Sequence, residues 1–451
     1  MIQCNADGKR DNAVFLFTNI EYEVEAKEKL TFMALNDALT RIPNMRTFST
    51  DVAEMLRTYP KEEFLMISID IGQFRLVNKL FRYSEGDNVL KYFATKLQEI
   101  IESYDKGIYC RMASDIFYAC ISEKENVEEF LSVLQTGMKN YPLKFELKLY
   151  FGIFKITDRM EPVEYMVEHS SYARLEAKKN PLQNIAYYND ELKKKEFFEA
   201  VVVSEMEQAL QEGQFEVYYQ PKCNSLTKQI IGAEALIRWN NPEKGYLSPG
   251  IFIPIFEQNG FVTEVDYYVC TQVCKKIREW MDHGVTPVPV SINISRCDLY
   301  DKELLSRIMS TVDEYQVPHN LIEFEITESA FILESNLLVS FTKALRKEGF
   351  CVLIDDFGSG YSSLNSLKNI DVDVLKIDIA FLPVSTGEKK SPIIMEAVIN
   401  MAQKLGLDTV AEGVETVEQL ELLEKLGCYK IQGYYFYKPM AVTDFEKLLR
   451  K

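Results

Sequence analysis

The chain of 451 residues is long enough for two or three domains, and its hydrophobic fraction of 47% is typical of a globular protein. Its 51 Lys and Arg residues against 68 Asp and Glu residues give a formal net charge of -17, which argues against broad nonspecific binding to nucleic acid polymers or anionic lipids. No window approaches the roughly 18 apolar residues of a membrane span, so a cytoplasmic protein without a span is expected.

The first part of the chain predicts a helix followed by a compact α/β domain. Residues 1–30 carry apolar residues at helical spacing among charges, which predicts a lead-in helix that either pairs in a dimer or is simply solvated. In residues 31–188, strand-like segments alternate with helical patterns. The strand-like segments are Phe64–Ile71, Gly107–Ile121 and Phe145–Ile156. The resulting β-α-β-β-α-β order predicts a ferredoxin-like fold.

This domain resembles the GGDEF diguanylate cyclase family. The segments that carry the resemblance are DALTRIPNMRTF (Asp37–Phe48), IDIGQFRLVNKLFRYSEGDNVL (Ile69–Leu90) and RMASDIF (Arg111–Phe117). Together they span most of the domain, so the resemblance implies a GGDEF-type fold for residues 31–188.

The resemblance fails at the family's signature. Ala113, Ser114 and Ile116 replace its two glycines and its last carboxylate, and Gly72 replaces the second acid of its Asp-x-Asp strand. Because glycine lets the backbone approach a triphosphate, the added Cβ atoms and the lost carboxylates imply that cyclase activity is absent. Residues Tyr104–Gly107 replace the family's RxxD inhibitory motif, which implies that this product site is lost too.

Four positions of the family's nucleotide site are retained. Asp70 and Asp115 stand at its metal-binding positions, and Asn78 and Asp87 stand at positions that hold guanine. The resemblance therefore leaves two interpretations open. The domain either binds GTP as a regulatory input or is a structural or dimerising remnant.

A charged connecting helix is predicted at residues 189–206, and beyond it short strands recur, each followed by a helical pattern. Seven of these strands end in a polar residue, and an eighth strand lies in Phe215–Gln220. Eight strands in residues 207–451 have the size expected of a (β/α)8 barrel. The seven polar residues are Glu234, Asn293, Glu325, Asp355, Lys376, Glu412 and Gln432.

In such a barrel the C-terminal strand ends face one mouth, so the seven residues should converge there. Carboxylate and amide oxygens suit Mg²⁺ or Mn²⁺, whereas three histidines and nine cysteines without a CxxC pair supply little for zinc or thiol chemistry. Two such ions would clamp a phosphodiester and activate a water. Taken alone, Asp355 and Asp356 are better explained as caps of a turn and of the next helix. Seven polar groups in phase favour the metal site.

This half of the chain resembles the EAL-type cyclic di-GMP phosphodiesterases over its full length. The motifs that carry the resemblance are YYQPK (Tyr218–Lys222), EALIRW (Glu234–Trp239), SINIS (Ser291–Ser295), EFEITES (Glu323–Ser329), DDFGSGYSSL (Asp355–Leu364), LKID (Leu375–Asp378), AEGVET (Ala411–Thr416) and QGYYFYKPM (Gln432–Met440).

The resemblance implies two Mg²⁺ or Mn²⁺ ions and a role for each strand-end residue. The implied ligands of one ion are Glu234, Asn293, Glu325 and Asp355. Asp355 and Asp356 would contact the second ion, and Glu412 would complete the acidic cluster. Lys376 would orient or deprotonate the attacking water, and Gln432 would hold the water network or the substrate.

The substrate-binding positions implied by the resemblance are Gln220, Leu236, Arg238, Asp378, Glu415 and Pro439. Arg238 is placed to meet a substrate phosphate, and Glu415 would anchor the loop of residues 355–364. The expected function is therefore hydrolysis of cyclic di-GMP to linear pGpG by a homodimer formed through the barrel domain. The alternative is a catalytically silent cyclic di-GMP receptor.

Overall fold

The computed structural model describes residues 11–180, 182–327, 335–357, 370–378 and 390–450, with helix alone described for residues 11–22. The chain divides into two compact units between Phe198 and Glu199. Within these residues, no helix has the length and apolar character needed to cross a membrane.

The first unit is a five-stranded sheet with helices on both faces. Its helices are α1 (Asp11–Leu35), α2 (Met45–Thr58), α3 (Phe74–Phe81), α4 (Tyr83–Ile101), α5 (Val127–Lys139) and α6 (Val163–Lys179). Its strands are β1 (Phe64–Ile71), β2 (Gly107–Ala113), β3 (Ile116–Ser122), β4 (Leu149–Lys155) and β5 (Ile185–Tyr187). The strand order β2-β3-β1-β4 is the predicted ferredoxin-like arrangement, with β5 added parallel to β4 at the edge.

Every residue of β1 is buried because both faces of the sheet are covered. On one face Ile67 packs in a cluster with Phe93 of α4, and on the other Met66 packs in a cluster with Phe48 of α2. This explains why the sequence of β1 is an almost continuous apolar run rather than an alternating one.

Helix α7 (Asp190–Gln211) follows and is longer than the predicted connecting helix of residues 189–206. Early in the helix, Lys195 pairs with Glu176 at 2.5 Å. Further along, Glu205 accepts hydrogen bonds from Asn241 at 2.9 Å and from Lys244 at 2.8 Å. The division between the two units therefore lies inside a continuous helix.

The second unit is a closed eight-stranded barrel. Its barrel strands are β6 (Phe215–Asn224), β7 (Ile230–Asn241), β9 (Val290–Ile294), β10 (Ile322–Thr327), β11 (Cys351–Phe357), β12 (Val374–Ile377), β13 (Asp408–Ala411) and β14 (Lys430–Gln432). Two short strands, β8 (Gly245–Leu247) and β15 (Met440–Ala441), extend it. Its helices are α8 (Pro249–Asn259), α9 (Val262–Asp282), α10 (Leu304–Glu314), α11 (Ser335–Lys347), α12 (Lys390–Lys404), α13 (Val417–Lys425) and α14 (Val442–Leu449).

The barrel departs from the predicted strand-then-helix pattern at its first strand. β6 runs antiparallel to both β7 and β14, whereas the remaining barrel strands run parallel to one another. Residues 225–229 alone join β6 to β7, and a loop this short makes a hairpin rather than a parallel crossover. In the resulting register Gln220 lies opposite Glu234, and Lys222 lies opposite Gly232.

Candidate active site

The seven polar residues predicted at the strand ends lie in one continuous network of hydrogen bonds and ion pairs. Its residues come from β7 and from β9 to β14, with Glu412 directly after β13. In the parallel register, Glu325 of β10 is level with Asn293 of β9, and Thr327 is level with Asp355 of β11. The strand ends therefore bring together residues that are widely separated in sequence, as the sequence predicts.

Lys376 lies at the centre of this network. Its Nζ atom is 2.8 Å from Asp355 and 3.4 Å from Glu234, and it also forms ion pairs with Glu325 and Glu412. The side chain is fully buried. Burial alone would lower the pKa of Lys376, but the surrounding carboxylates raise it well above its usual range. Lys376 is therefore held as an ammonium ion.

Glu234 links the two sides of the network. Its Oε1 accepts a hydrogen bond from Asn293 Nδ2 at 2.9 Å, and its Oε2 accepts one from Gln432 Nε2 at 2.6 Å. Gln432 Nε2 also donates to Gln220 Oε1 at 3.1 Å, while Gln432 Oε1 is buried without a hydrogen-bond partner among the described residues. An unused buried acceptor of this kind is suited to a water or a substrate donor.

A second buried lysine, Lys222, lies beside Glu325 and was missed by the sequence reasoning. Its Nζ is 2.9 Å from Glu325 Oε1 and 3.0 Å from Glu323 Oε2, and it also contacts the hydroxyl of Ser291. A usable signal was present, since Lys222 follows Gln220 by two residues and so points to the same face of β6. The two ammonium groups outweigh the effect of burial and lower the pKa of Glu325 to about 2.

Asp355 and Asp356 form a β-bulge in β11. The pairing of β11 with β12 shifts between Ile354 and Phe357, and Asp356 adopts φ 55°, a left-handed conformation that aspartate tolerates better than most residues. As a result, one oxygen each from Asp355, Asp356 and Glu412 lie within 4.8 Å of one another. Three carboxylates at this spacing form a hard-ligand set that fits a divalent cation.

The charge balance of the mouth also fits bound cations. Among the described residues, six carboxylates in and below it face two ammonium groups. The carboxylates are Glu234, Glu323, Glu325, Asp355, Asp356 and Glu412, and the ammonium groups are Lys222 and Lys376. Burial, together with neighbouring carboxylates, raises the pKa of Glu234, Asp355 and Asp356. Such groups are stabilised by taking up either protons or metal ions.

Two of the predicted substrate-binding residues lie on β7 beside the network. Leu236 and Asn293 line a cavity of about 320 Å³ whose other walls are mostly apolar, including Ile253 and Val262. Arg238 lies over the ring of Tyr218, with its guanidinium carbon 5.6 Å from the ring centroid. An apolar cavity and a half-buried guanidinium carried by the same strand can accommodate a base and a phosphate.

Three further predicted substrate-binding residues, Asp378, Glu415 and Pro439, lie just after β12, at the start of α13 and just before β15. Asp378 follows β12 and contributes to the raised pKa of Asp356. Glu415 is exposed at the turn into α13, where its backbone NH donates to Gln419 Oε1 at 2.8 Å, and Pro439 is half-buried just before β15. The loop that Glu415 is predicted to anchor falls mostly in residues 358–369, which lie outside the described residues.

The four retained nucleotide-site residues of the first unit lie on β1, α3, α4 and the β2–β3 turn. Asp70 is buried and bonds Arg174 Nη1 at 2.7 Å and Lys178 Nζ at 2.7 Å. The carbonyl of Asp115, in the β2–β3 turn, accepts a hydrogen bond from Ile71 at 3.3 Å. Asn78 lies half-buried on α3 and Asp87 is exposed on α4. The Asp70 carboxylate is thus already neutralised by cationic side chains.

Comparison with known proteins gives two family matches. Residues 203–439 match the EAL domain model, and residues 34–184 match the model described as diguanylate cyclase, GGDEF domain. The EAL match covers more than half of the chain.

The chain is also similar to individual proteins. It is 27% identical to the signaling protein YkoW of Bacillus subtilis, covering 100% of this chain and 57% of that protein. It is 27% identical to the cyclic di-GMP phosphodiesterase NbdA of Pseudomonas aeruginosa, covering 94% of this chain and 55% of that protein. The chain thus spans little more than half the length of these relatives. A solved structure of the MucR phosphodiesterase of Pseudomonas aeruginosa with c-di-GMP is 31% identical, with a TM-score of 0.52 over 54% of this chain and 99% of that one.

Proposed function

This chain belongs to the EAL domain family, and from that premise we propose that it is a metal-dependent phosphodiesterase that hydrolyses cyclic di-GMP to linear pGpG. The observation that carries the proposal is the buried network in which Lys376 binds four carboxylates at the barrel mouth. A site that held its ligand by shape and hydrogen bonds alone would gain nothing from so many buried acids.

The donor set supports two Mg²⁺ or Mn²⁺ ions. Asp355 and Asp356, assisted by Glu412, would hold one ion. The other would be held by Glu234, Asn293, Glu325 and Asp355. When bound, the ions would polarise the phosphodiester and lower the pKa of a bound water.

The protein's own groups then position the reactants. Lys376, fixed at the mouth by its carboxylate partners, would orient or deprotonate the attacking water. Gln432, fixed by Glu234 and Gln220, would hold the water or a substrate oxygen. Arg238 would bind a phosphate, and the cavity at Leu236 would receive a guanine. Asp378, Glu415 and Pro439 complete the proposed substrate contacts.

We propose that the first unit is catalytically inactive and regulatory. The support is the Asp70 carboxylate, which two cationic side chains already neutralise, together with the replacement of the cyclase signature at Ala113, Ser114 and Ile116. GTP binding there and a homodimer through the EAL domain remain predictions drawn from the resemblance. A cytoplasmic location remains a prediction drawn from the hydropathy of the sequence.

The deciding experiment incubates the purified chain with cyclic di-GMP and Mn²⁺ and separates the products by liquid chromatography. We expect linear pGpG, loss of the product on chelation, and loss of the product in a Glu234→Gln variant of matched size. Tight binding of cyclic di-GMP by the parent without linear product would instead identify the chain as a receptor.

A further inference from the structure

The barrel interior below the mouth contains a second ionic cluster around Lys222. Lys222 extends from β6 and reaches two carboxylates of β10, Glu323 and Glu325, with the hydroxyl of Ser291 on β9 completing its contacts. Ser291 in turn donates to Glu323 Oε2 at 2.6 Å. Ser291 and Glu323 therefore hold the ammonium group of Lys222 below the mouth, where it also contacts Glu325.

Glu325 is the residue that joins this cluster to the mouth. It is completely buried; its Oε1 accepts from Lys222 and its Oε2 accepts from Lys376. Because Lys222 binds one oxygen, the plane of the carboxylate is fixed and the other oxygen is directed towards Lys376 and the mouth. An outer partner that orients a ligand in this way is a recurring feature of metal sites.

We propose that Lys222 is a positioning residue that fixes Glu325 for divalent-cation binding. The inference rests on the proposed function, because Glu325 is taken there as a metal ligand. Lys222 itself lies below the network and acts through Glu325.

A purely structural role explains Lys222 poorly. A buried ammonium with two carboxylates is costly to desolvate, and an apolar side chain of similar volume often fills such a position with equal or better stability. Two of its three partners, Ser291 and Glu323, lie outside the mouth network and serve to hold Lys222 in place. The remaining role of the Lys222 ammonium group is to orient its third partner, Glu325.

The test has to separate orientation from charge, because removing a cation beside a metal ligand also strengthens cation attraction. The double variant Lys222→Met/Glu323→Gln removes one positive and one negative charge and leaves the net charge unchanged. Glu323→Gln alone keeps the bond from Lys222 to Glu325. Lys244→Met removes a lysine from an ion pair with Glu205 elsewhere in the same domain and serves as the matched control.

The measurement is Mn²⁺ affinity of the full chain by electron paramagnetic resonance of free Mn²⁺, without substrate. We expect the double variant to bind Mn²⁺ about 10- to 100-fold more weakly. Glu323→Gln should weaken binding much less, through the lost charge alone, and Lys244→Met should stay close to the parent. In hydrolysis, the Mn²⁺ concentration for half-maximal rate should rise and kcat should fall, while KM for cyclic di-GMP stays constant. Parental Mn²⁺ affinity in the double variant would overturn the proposal.

The outcome for Lys222 is distinguishable from that of the proposed function. If the parent binds Mn²⁺ but produces no pGpG, hydrolysis is disproved while the Mn²⁺ comparison still decides the role of Lys222. A parent that binds no Mn²⁺ overturns both. Circular dichroism verifies the fold of each variant. Should the double variant not fold, Lys222→Gln/Glu323→Gln keeps the site polar with a side chain too short to reach Glu325, and the same loss is expected.

Discussion

The Nζ atom of Lys376 lies 2.8 Å from Oδ1 of Asp355, and both groups are buried at the barrel mouth. The same ammonium group contacts Glu234, Glu325 and Glu412. These carboxylates compensate the desolvation of Lys376. Lys376 in turn favours the charged forms of Glu234, Glu325 and Asp355 against the effect of burial.

Replacing Lys376 by methionine should therefore destabilise the metal-free protein by about 3–5 kcal/mol, because buried carboxylates lose their counter-charge. Added Mn²⁺ should restore much of that stability. The rate of hydrolysis should fall by at least about 100-fold, which is the usual effect of removing a group that transfers a proton to or from the reacting atoms or holds the attacking water. Denaturant unfolding with and without Mn²⁺ measures the first effect, and product chromatography measures the second. A Lys376→Met protein as stable as the parent without metal would contradict the assignment.

Substitutions of Asp356 should separate the bulge conformation from the carboxylate. Asparagine and glycine tolerate a positive φ, whereas alanine there costs about 1–2 kcal/mol. We expect Asp356→Asn, Asp356→Gly and Asp356→Ala all to lose hydrolysis, but Asp356→Ala alone to lose stability on this scale relative to Asp356→Asn. Calorimetry and activity measured on the same preparations decide the matter. Full activity of Asp356→Gly, which tolerates the positive φ but has no side-chain oxygen, would exclude Asp356 as a ligand.

Asp70 should behave as an ion-pair partner rather than as a vacant metal ligand. Asp70→Asn leaves Arg174 buried without its carboxylate, so we expect the unfolding free energy of the first unit to fall by about 3–5 kcal/mol. Asp115→Asn, at the neighbouring turn, is the matched control and should stay within about 0.5 kcal/mol of the parent. Calorimetry of the full chain measures both, and a loss that appears only when Mg²⁺ is present would indicate a metal site instead.

Rebuilding the cyclase signature should not restore cyclase activity. We expect a chain that combines Ala113→Gly, Ser114→Gly and Ile116→Glu to form no cyclic di-GMP from GTP and Mg²⁺. The reason is that the Asp70 carboxylate would still be bound by Arg174 and Lys178 and so would not be available to a metal ion. The assay uses Glu234→Gln in the same chain so that hydrolysis does not consume the product. Product formation would show that the ion pairs open for metal.

The pH dependence of stability should contain a contribution from a buried carboxyl pair, Asp266 and Asp298. The backbone NH of Ser295 donates to both, at 3.3 Å and 2.7 Å, and burial followed by the charge of Asp298 raises the pKa of Asp266 well above its usual range. The folded state then holds a proton that the unfolded state releases. Stability from this pair is complete below the ordinary aspartate pKa and decreases as pH rises toward the raised value.

In Asp266→Asn, the amide group can donate a hydrogen bond to Asp298 at every pH, whereas in the parent only the protonated form of Asp266 can do so. The variant should match the parent near pH 4 and become more stable than the parent as pH rises above roughly 5. Melting temperature against pH measures both proteins. Parallel curves would show that Asp266 is ionised in the folded state.

Much of the site could be predicted because parallel strands place their ends together. Asn293, Glu325 and Gln432 each lie at or near one of these ends, and a list of strand ends locates them without coordinates. Glu234 instead lies inside β7, which continues to Asn241. Three features could not be predicted in this way. The reversal of β6 depends on a short turn, and the bulge at Asp356 depends on the fit of β11 to β12.

The third feature is the choice of partner for each buried charge. Asp70 is neutralised by Arg174, 104 residues further along the chain, and Glu325 is shared by two lysines from different strands. No periodicity in the sequence encodes such pairings, because they depend on which side chains meet after the sheet has closed. For this reason the sequence pattern predicted Asp70 as a metal-binding position and predicted no role for Lys222.

The reversed direction of β6 also determines where the chain enters the barrel. Its first residue, Phe215, pairs with Trp239, beyond Glu234 toward the C-terminal end of β7, whereas the other barrel strands begin at the opposite end. A displacement of the C-terminal part of α7 would therefore move the barrel mouth directly. β6 begins at the mouth end of the barrel, only five residues before Gln220, so the displacement would not need to be transmitted along the length of the barrel.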